Sequence, residues 1–311
     1  MPLFRSLTLA IARQPAVERF VRESPFVMPL VARFVAGETM EEALAVAGAL
    51  ADRGLATTLD LLGEDVHAPT EAAAATEAYA ELLQAIERSG LDATISVKPT
   101  HLGLRLDPDL ARLNLERLAR LAQRLGRRVE VDMEDASTTR KTIELFDCLH
   151  RTYGDHLQLA LQSYLYRTEH DIERAIERGW RVRLVKGAYA EPPTVAYPSK
   201  AAIDAAYRRH LELLLEYGRF VAIATHDEAI IRVARGFARR IGVGPEKYEF
   251  QMLYGVRRDL QDALRRAGEP VRVYVPFGRH WYPYFTRRLA ERPANLLFLL
   301  RELLRGAPTT L

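Results

Sequence analysis

The chain has 311 residues, 48% of them hydrophobic and 27% charged, with a formal charge of +3. That length buries a core without disulfides, and no stretch approaches the apolar length that spans a bilayer, which argues against a disordered chain and a membrane-spanning one. Basic and acidic residues are interspersed throughout, leaving no cationic stripe for nucleic acid and only weak attraction to an anionic membrane surface.

In chain order, residues 1–50 predict a helical arm flanking or capping the body that follows, its apolar faces supplied by Phe20, Val27, Leu30, Val31 and Phe34. The apolar run after Met1 is interrupted by Arg13 and shows no cleavage-site pattern, so no export signal and a cytoplasmic setting are expected. Residues 51–311 alternate short β-rich segments with amphipathic helical stretches. The segments fall at 56–62, 93–99, 128–134, 157–164, 180–187, 220–226, 248–253 and 271–278. Strands separated by helical patterns predict parallel βα units. Eight of them in about 250 residues predict a closed α/β (β/α)8 TIM barrel, with an open doubly wound sheet as the alternative. In the third helical stretch the single cysteine, Cys148, lies among Leu145, Phe146 and Leu149 and is expected in the core. Beyond the eighth strand, His280 to Arg292 predicts a helix over the barrel mouth, and Asn295 to Arg305 a closing helix.

Alternate residues of a strand face opposite sides of a sheet, so side-chain parity says more than strand number. One parity is mostly apolar: Leu59 and Leu61, Ile95 and Val97, Val129 and Val131, Leu159 and Leu161, Val182 and Leu184, Val221 and Ile223, Val273 and Val275. These belong beneath the helices. The other parity carries Asp60, Lys98, Asp132, Gln162, Arg183, His226, Gln251 and Tyr274, each late in its strand. Barrel active sites form at the C-terminal strand ends, and unpaired buried polar groups cost several kcal/mol each, so this set predicts a ligand site or an internal salt-bridge network.

Arg287 and Arg288 follow the last strand, where a short helix would aim them at the mouth. Paired guanidiniums suit a carboxylate, because each grips both oxygens. All but five of the 44 basic residues are arginine, however, so the pair alone also fits a solvated helix face. Lys98 and Lys186, both at strand ends, carry more weight. Lys98 faces inward and suits either a carboxylate anchor or, with a depressed pKa, a Schiff base. Asp132 is a candidate to orient Lys98 or Tyr274, or to act as a buried counter-ion. Tyr274 offers a flat ring to a saturated one, plus a hydroxyl that needs a partner. His226 has no HxH, HExxH or cysteine pair around it to suggest a metal, and no GxGxxG follows a strand.

The segments RVRLVKGAY (181–189), ATHDE (224–228) and YVPFGRH (274–280) leading to Arg287-Arg288-Leu289 make the chain resemble the proline dehydrogenase family, roughly from Thr57 to Glu291. The resemblance implies a distorted (β/α)8 barrel whose last helix lies over the strand ends, with non-covalent FAD bound there. It implies that L-proline gives a hydride from C5 to flavin N5, leaving Δ1-pyrroline-5-carboxylate, and that the electrons pass to a membrane quinone. By position Arg183 matches an arginine near flavin N5, while Met133, Gln162, Lys186, Gly187, Ala188, Thr225 and His226 match flavin contacts. Lys98, Asp132, Tyr189, Tyr274, Arg287 and Arg288 match the substrate set, with Asp132 and Arg183 as the catalytic candidates. Glu64 matches an acidic gate that pairs with the first arginine of the helix.

No side chain stands out as base for the proline nitrogen. Ala190 replaces the tryptophan typical of bifunctional bacterial relatives, which puts their membrane switch in doubt. Without a DNA-binding region or aldehyde dehydrogenase domain, the resemblance implies a monofunctional enzyme. Its product would pass to a separate pyrroline-5-carboxylate dehydrogenase, and peripheral contact with the inner membrane face stays open. Two rival readings remain: a Schiff-base aldolase using Lys98 or Lys186, and a flavin barrel that reduces methylene-folate with nicotinamide as donor.

Overall fold

In the computed structural model, which describes residues 14–24 and 27–290, eight parallel strands pair in chain order and close on themselves. They are β1 (Ala56–Leu61), β2 (Ala93–Val97), β3 (Val129–Val131), β4 (Leu157–Gln162), β5 (Arg181–Val185), β6 (Phe220–Ala224), β7 (Tyr248–Leu253) and β8 (Val271–Phe277). The closing pair runs from Ala56 opposite Arg272 to Leu61 opposite Phe277, which excludes the open sheet. Several ladders stop short of the predicted spans, β2 at Val97 and β3 at Val131. Pro99 has no N–H with which to prolong β2, and the backbone of Asp132 reaches back to β2 through its N–H, which donates to the Val97 carbonyl (2.9 Å). Lys98 and Asp132 therefore stand just past the sheet, at the mouth.

Between the strands lie α4 (Pro69–Ser89), α5 (Pro108–Arg124), α6 (Ala136–Tyr153), α7 (Thr168–Glu177), α8 (Lys200–Tyr217), α9 (Glu228–Ile241) and α10 (Arg258–Arg266). They are preceded by α1 (Pro15–Glu23), α2 (Met28–Ala32) and α3 (Met40–Ala51), and followed by α11 (Trp281–Ala290). In α5 the Asp107 carboxylate accepts from the Asp109 N–H (2.9 Å), and Pro108 opens the helix where its missing N–H costs nothing. Ala111, Leu115, Leu118 and Ala122 then recur at helical spacing on the buried side. Each leucine withdrawn from water contributes about 1.5–3 kcal/mol.

The outward parity is as expected: Leu59, Ile95, Val129, Leu159, Val182, Val221 and Val273 are fully buried, and only Leu61, at the end of β1, is half-buried. Cys148 corrects an expectation. It is exposed, because the buried side of α6 runs through Thr142, Leu145, Phe146 and Leu149, and position 148 falls about 100° away from that stripe.

In a regular barrel the helix after β8 covers the β8–β1 seam. Here α3 packs on both strands and buries Ala43, Ala47 and Leu50 there. Helix α3 thus fills the eighth outer position, and α11 is left at the C-terminal ends of the strands. Its Trp281, Tyr284 and Phe285 join Val21, Val27, Val31 and Phe34 of the arm, with Leu62 and Val256 from loops after β1 and β7, in a second apolar cluster. The expected closing helix at 295–305 lies outside the described residues, as do positions 291 and 292 of the preceding one. Among the described residues no helix is long and apolar enough to cross a membrane.

Candidate active site

The middle of the barrel is polar. Glu130 on β3 accepts hydrogen bonds from Thr58 (2.9 Å) and Thr94 (2.5 Å) and pairs with Arg183. Arg183 on β5 also donates to Gln251 Oε1 (2.7 Å) and Ser96 Oγ (3.2 Å) and pairs with Asp132. Lower down, Arg272 bridges Glu249 (3.0 Å) and Asp92 (3.1 Å). Burial opposes ionisation of Glu130, but Arg183 and Arg272 outweigh it and hold the carboxyl at about 2. A salt-bridge network thus occupies the depth of the barrel, and Asp132, its uppermost acid, reaches the mouth.

There Tyr274 donates to Asp132 Oδ2 (2.7 Å), and Lys98 Nζ lies 2.8 Å from Asp60 and 3.7 Å from Asp132. Burial works against the Lys98 charge, yet Asp60, Tyr274 and Asp132 outweigh it and raise the ammonium well above the ordinary lysine range. The same burial pushes the Asp60 carboxyl up, but the proton of the pair stays on the more basic nitrogen. Lys98 is therefore a fixed cation, and the depressed pKa that a Schiff base requires is not found. The guanidinium of Arg183 lies 5.0 Å from the Tyr274 ring centroid, which leaves the ring pinned at edge and face.

Arg287 on α11 faces this cluster and sits 3.7 Å from Glu64, on the loop after β1. A cavity of about 620 Å³ beside them is lined by Lys98, Glu64, His101, His280, Tyr284 and Arg287 among others. Burial, with Lys98 and His280, pushes His101 down to about 4, so its ring is neutral at physiological pH. Arg288 packs its guanidinium over the Tyr284 ring at 5.3 Å. Tyr189 is half-buried on the loop after β5, its hydroxyl pushed up by burial and by Glu134.

The residues matched to a flavin gather on the other half of the mouth, at the ends of β3 to β6. Met133 is buried, and Gln162 donates to the Glu134 carbonyl (2.7 Å). Lys186 is held by Asp204 (2.6 Å) and Asp227 (3.2 Å), and Asp227 also caps α9 through the Ala229 N–H (3.0 Å). Gly187 has φ +120°, and a Cβ there would stand 2.2 Å from the Tyr164 ring, so no other residue fits that turn; Ala188 beside it is exposed. Thr225 Oγ1 accepts the Asp227 N–H (3.1 Å), while His226 Nε2 accepts the Leu253 N–H (2.9 Å), leaving Nδ1 to carry the proton.

Several partners were not singled out from the sequence. Alternation puts Asp60 on the inward face but does not reveal that it is the partner of Lys98. Glu130 and Glu134 share the parity of Asp132 in one short segment, a signal that was available. Glu134 accepts from the Thr100 N–H (2.9 Å) and hydroxyl (2.5 Å). Burial raises its carboxyl to about 7 against those bonds and Lys98, with Glu64 adding to the rise. The folded state holds a proton that the unfolded chain has released above its ordinary 4.5, so this group's stabilisation fades as pH rises from about 4.5 to 7. Glu134→Gln, which imitates the protonated form, should lose that slope. Melting temperatures of both proteins recorded across this range should converge at the acid end and part at neutral pH, with the variant higher. Parallel curves would remove Glu134 as the titrating group.

A family model described as proline dehydrogenase matches residues 43–301. The proline dehydrogenase of Deinococcus radiodurans is 40% identical over 308 residues, covering 98% of this chain and 99% of that protein. Proline dehydrogenase 2 of Bacillus subtilis is 38% identical over 269 residues, 86% of this chain and 88% of that one. Among solved structures, proline utilization A (PutA) from Bdellovibrio bacteriovorus, inactivated by N-propargylglycine, superposes with a TM-score of 0.81 at 26% identity. That match covers 85% of this chain but 33% of the longer one.

Proposed function

The chain belongs to the proline dehydrogenase family, oxidoreductases of the first step of proline catabolism, and we propose that it oxidises L-proline to Δ1-pyrroline-5-carboxylate with non-covalent FAD and a membrane quinone as final acceptor. The observation that carries this reading is the set of fixed cations at the mouth. Lys98 is locked by Asp60 and Asp132, Arg183 by Glu130 and Asp132, and Arg287 faces them from α11. Such a set suits a small zwitterion held by its carboxylate.

The donor set on the opposite half fits a flavin. Lys186, Gln162, Thr225 and His226 are the kinds of groups that hold phosphates and a polar ring edge, and Arg183 stands between the two halves. Bound there, FAD would supply the acceptor for the C5 hydride. The chain's own residues supply the rest. Arg287, Arg288 and Lys98 grip the carboxylate, and Tyr274 and Tyr189 cover the ring. Asp132 holds Tyr274 and Arg183 in place at once. Lys98, kept protonated, serves as an anchor and not as the base. Glu64, opposite Arg287, gates the entrance. The product would be the substrate of a pyrroline-5-carboxylate dehydrogenase, and a membrane quinone would be met by peripheral contact with the bilayer surface.

Anaerobic addition of proline to the purified protein should bleach the flavin absorbance, and a quinone analogue should restore it. Bleaching by NADH and not by proline would favour the methylene-folate reading. Colourless protein that takes up no FAD, and is trapped by borohydride with a keto acid, would favour the lyase.

A further inference from the structure

Glu64 is followed by a strained residue. Asp65 has φ +52°, and among the described residues only it and Arg257 adopt a left-handed backbone without being glycine. Such a conformation persists where neighbouring groups over-determine it. Here two sets of contacts do so. The Asp65 N–H donates to Thr100 Oγ1 (3.0 Å), whose own hydroxyl donates to the buried Glu134 (2.5 Å). The Asp65 carboxylate accepts from Arg105 Nε (2.6 Å). The same guanidinium pairs with Asp135 and donates to Ser137 Oγ (3.2 Å), at the capped N-terminus of α6. One arginine on the loop after β2 therefore staples the loop after β1 to the start of the helix after β3.

We propose that Arg105 is a positioning residue for the gate: by tying Asp65 to Asp135 it holds the strained Glu64-Asp65 turn so that Glu64 meets Arg287 across the mouth. The inference rests on the reading of that mouth as a proline site. Arg105 and Asp65 are 38% and 51% exposed, so neither ion pair alone is worth much. Their effect comes from geometry, because a planar guanidinium holding two carboxylates at once removes freedom from both loops. Without the staple, the turn can relax out of the left-handed region and carry the Glu64 carboxylate away from Arg287. Proline would then escape more readily, with the chemistry of the bound complex unchanged.

The test is steady-state kinetics of the FAD-loaded enzyme. Arg105→Gln should raise the KM for proline roughly two- to fivefold and leave kcat within about twofold, the scale open to an exposed ion-pair network. Asp65→Asn, which keeps the backbone N–H and tolerates the left-handed turn, should match it, and the double variant should be no worse than either single. In a Glu64→Ala background Arg105→Gln should change KM no further, since nothing is left to position; a purely structural role would still show its effect there. High salt should bring wild-type KM toward that of Arg105→Gln. Wild type that oxidises proline, with an unchanged KM in Arg105→Gln or additive effects in the Glu64→Ala background, overturns this inference alone. Wild type that oxidises no proline overturns it together with the proposed function.

Discussion

Arg183→Met is expected to lower the melting temperature by roughly 6–15 °C, because removing one partner of a buried ion pair costs about 3–5 kcal/mol. The guanidinium is almost wholly buried and satisfies Gln251, Ser96, Asp132 and Glu130 at once. Its loss leaves two carboxylates facing each other in the barrel with no cation between them. Arg183→Lys should recover little, since a single ammonium cannot reach across four acceptors. The pH dependence gives an independent check. Glu130 is held at about 2, below its unfolded 4.5, so its contribution is complete above about pH 4.5 and is lost as pH falls toward 2. The deficit of the variant should accordingly narrow over that interval. Proline oxidation should vanish as well, because Asp132 would lose the partner that aims it at Tyr274. A variant melting with the wild type at neutral pH would show that this network does not hold the barrel's centre.

The second large effect is expected at α11. Arg287→Met and Arg288→Met should each lower kcat/KM for proline by roughly 10- to 150-fold, the loss of about 1.5–3 kcal/mol for a hydrogen bond to a charged group, with FAD still bound. The two should differ. Arg287 also neutralises Glu64 at 3.7 Å, so its removal leaves a carboxylate at the entrance that repels the one on the substrate. Adding Glu64→Ala should therefore return part of the activity of Arg287→Met and none of that of Arg288→Met. Stability should change little in either, since α11 is held from behind by Trp281, Tyr284 and Phe285 against the arm. Unchanged proline kinetics in both single variants would strip the pair of its role.

Much of the frame was legible in the sequence because it depends on local periodicity. The eight strands, their outward apolar residues and the inward parity of Asp60, Lys98, Asp132, Arg183 and Tyr274 follow from alternation alone. Cys148 was not legible in this way: its apolar neighbours flank it in sequence, while the buried stripe passes one helical position away. The role of α3 was not legible either. An amphipathic helix before the first strand says that one face is buried, and not that the face it covers is the seam between the first and last strands. At the site, the resemblance pointed to Glu64 and the arginine pair, while the staple through Arg105 depends on three loops meeting.

Sequence by itself determined which side of the sheet each residue faces, because that is set by the period of the backbone within a strand. Only tertiary structure decided depth and partnership. Closing the barrel brings distant strands to a common level, so that Glu130 and Arg183 become a buried pair below while Asp132, two residues further along, reaches Tyr274 and Lys98 at the mouth. Coulomb and hydrogen-bond energies depend on those distances, and sequence separation does not contain them.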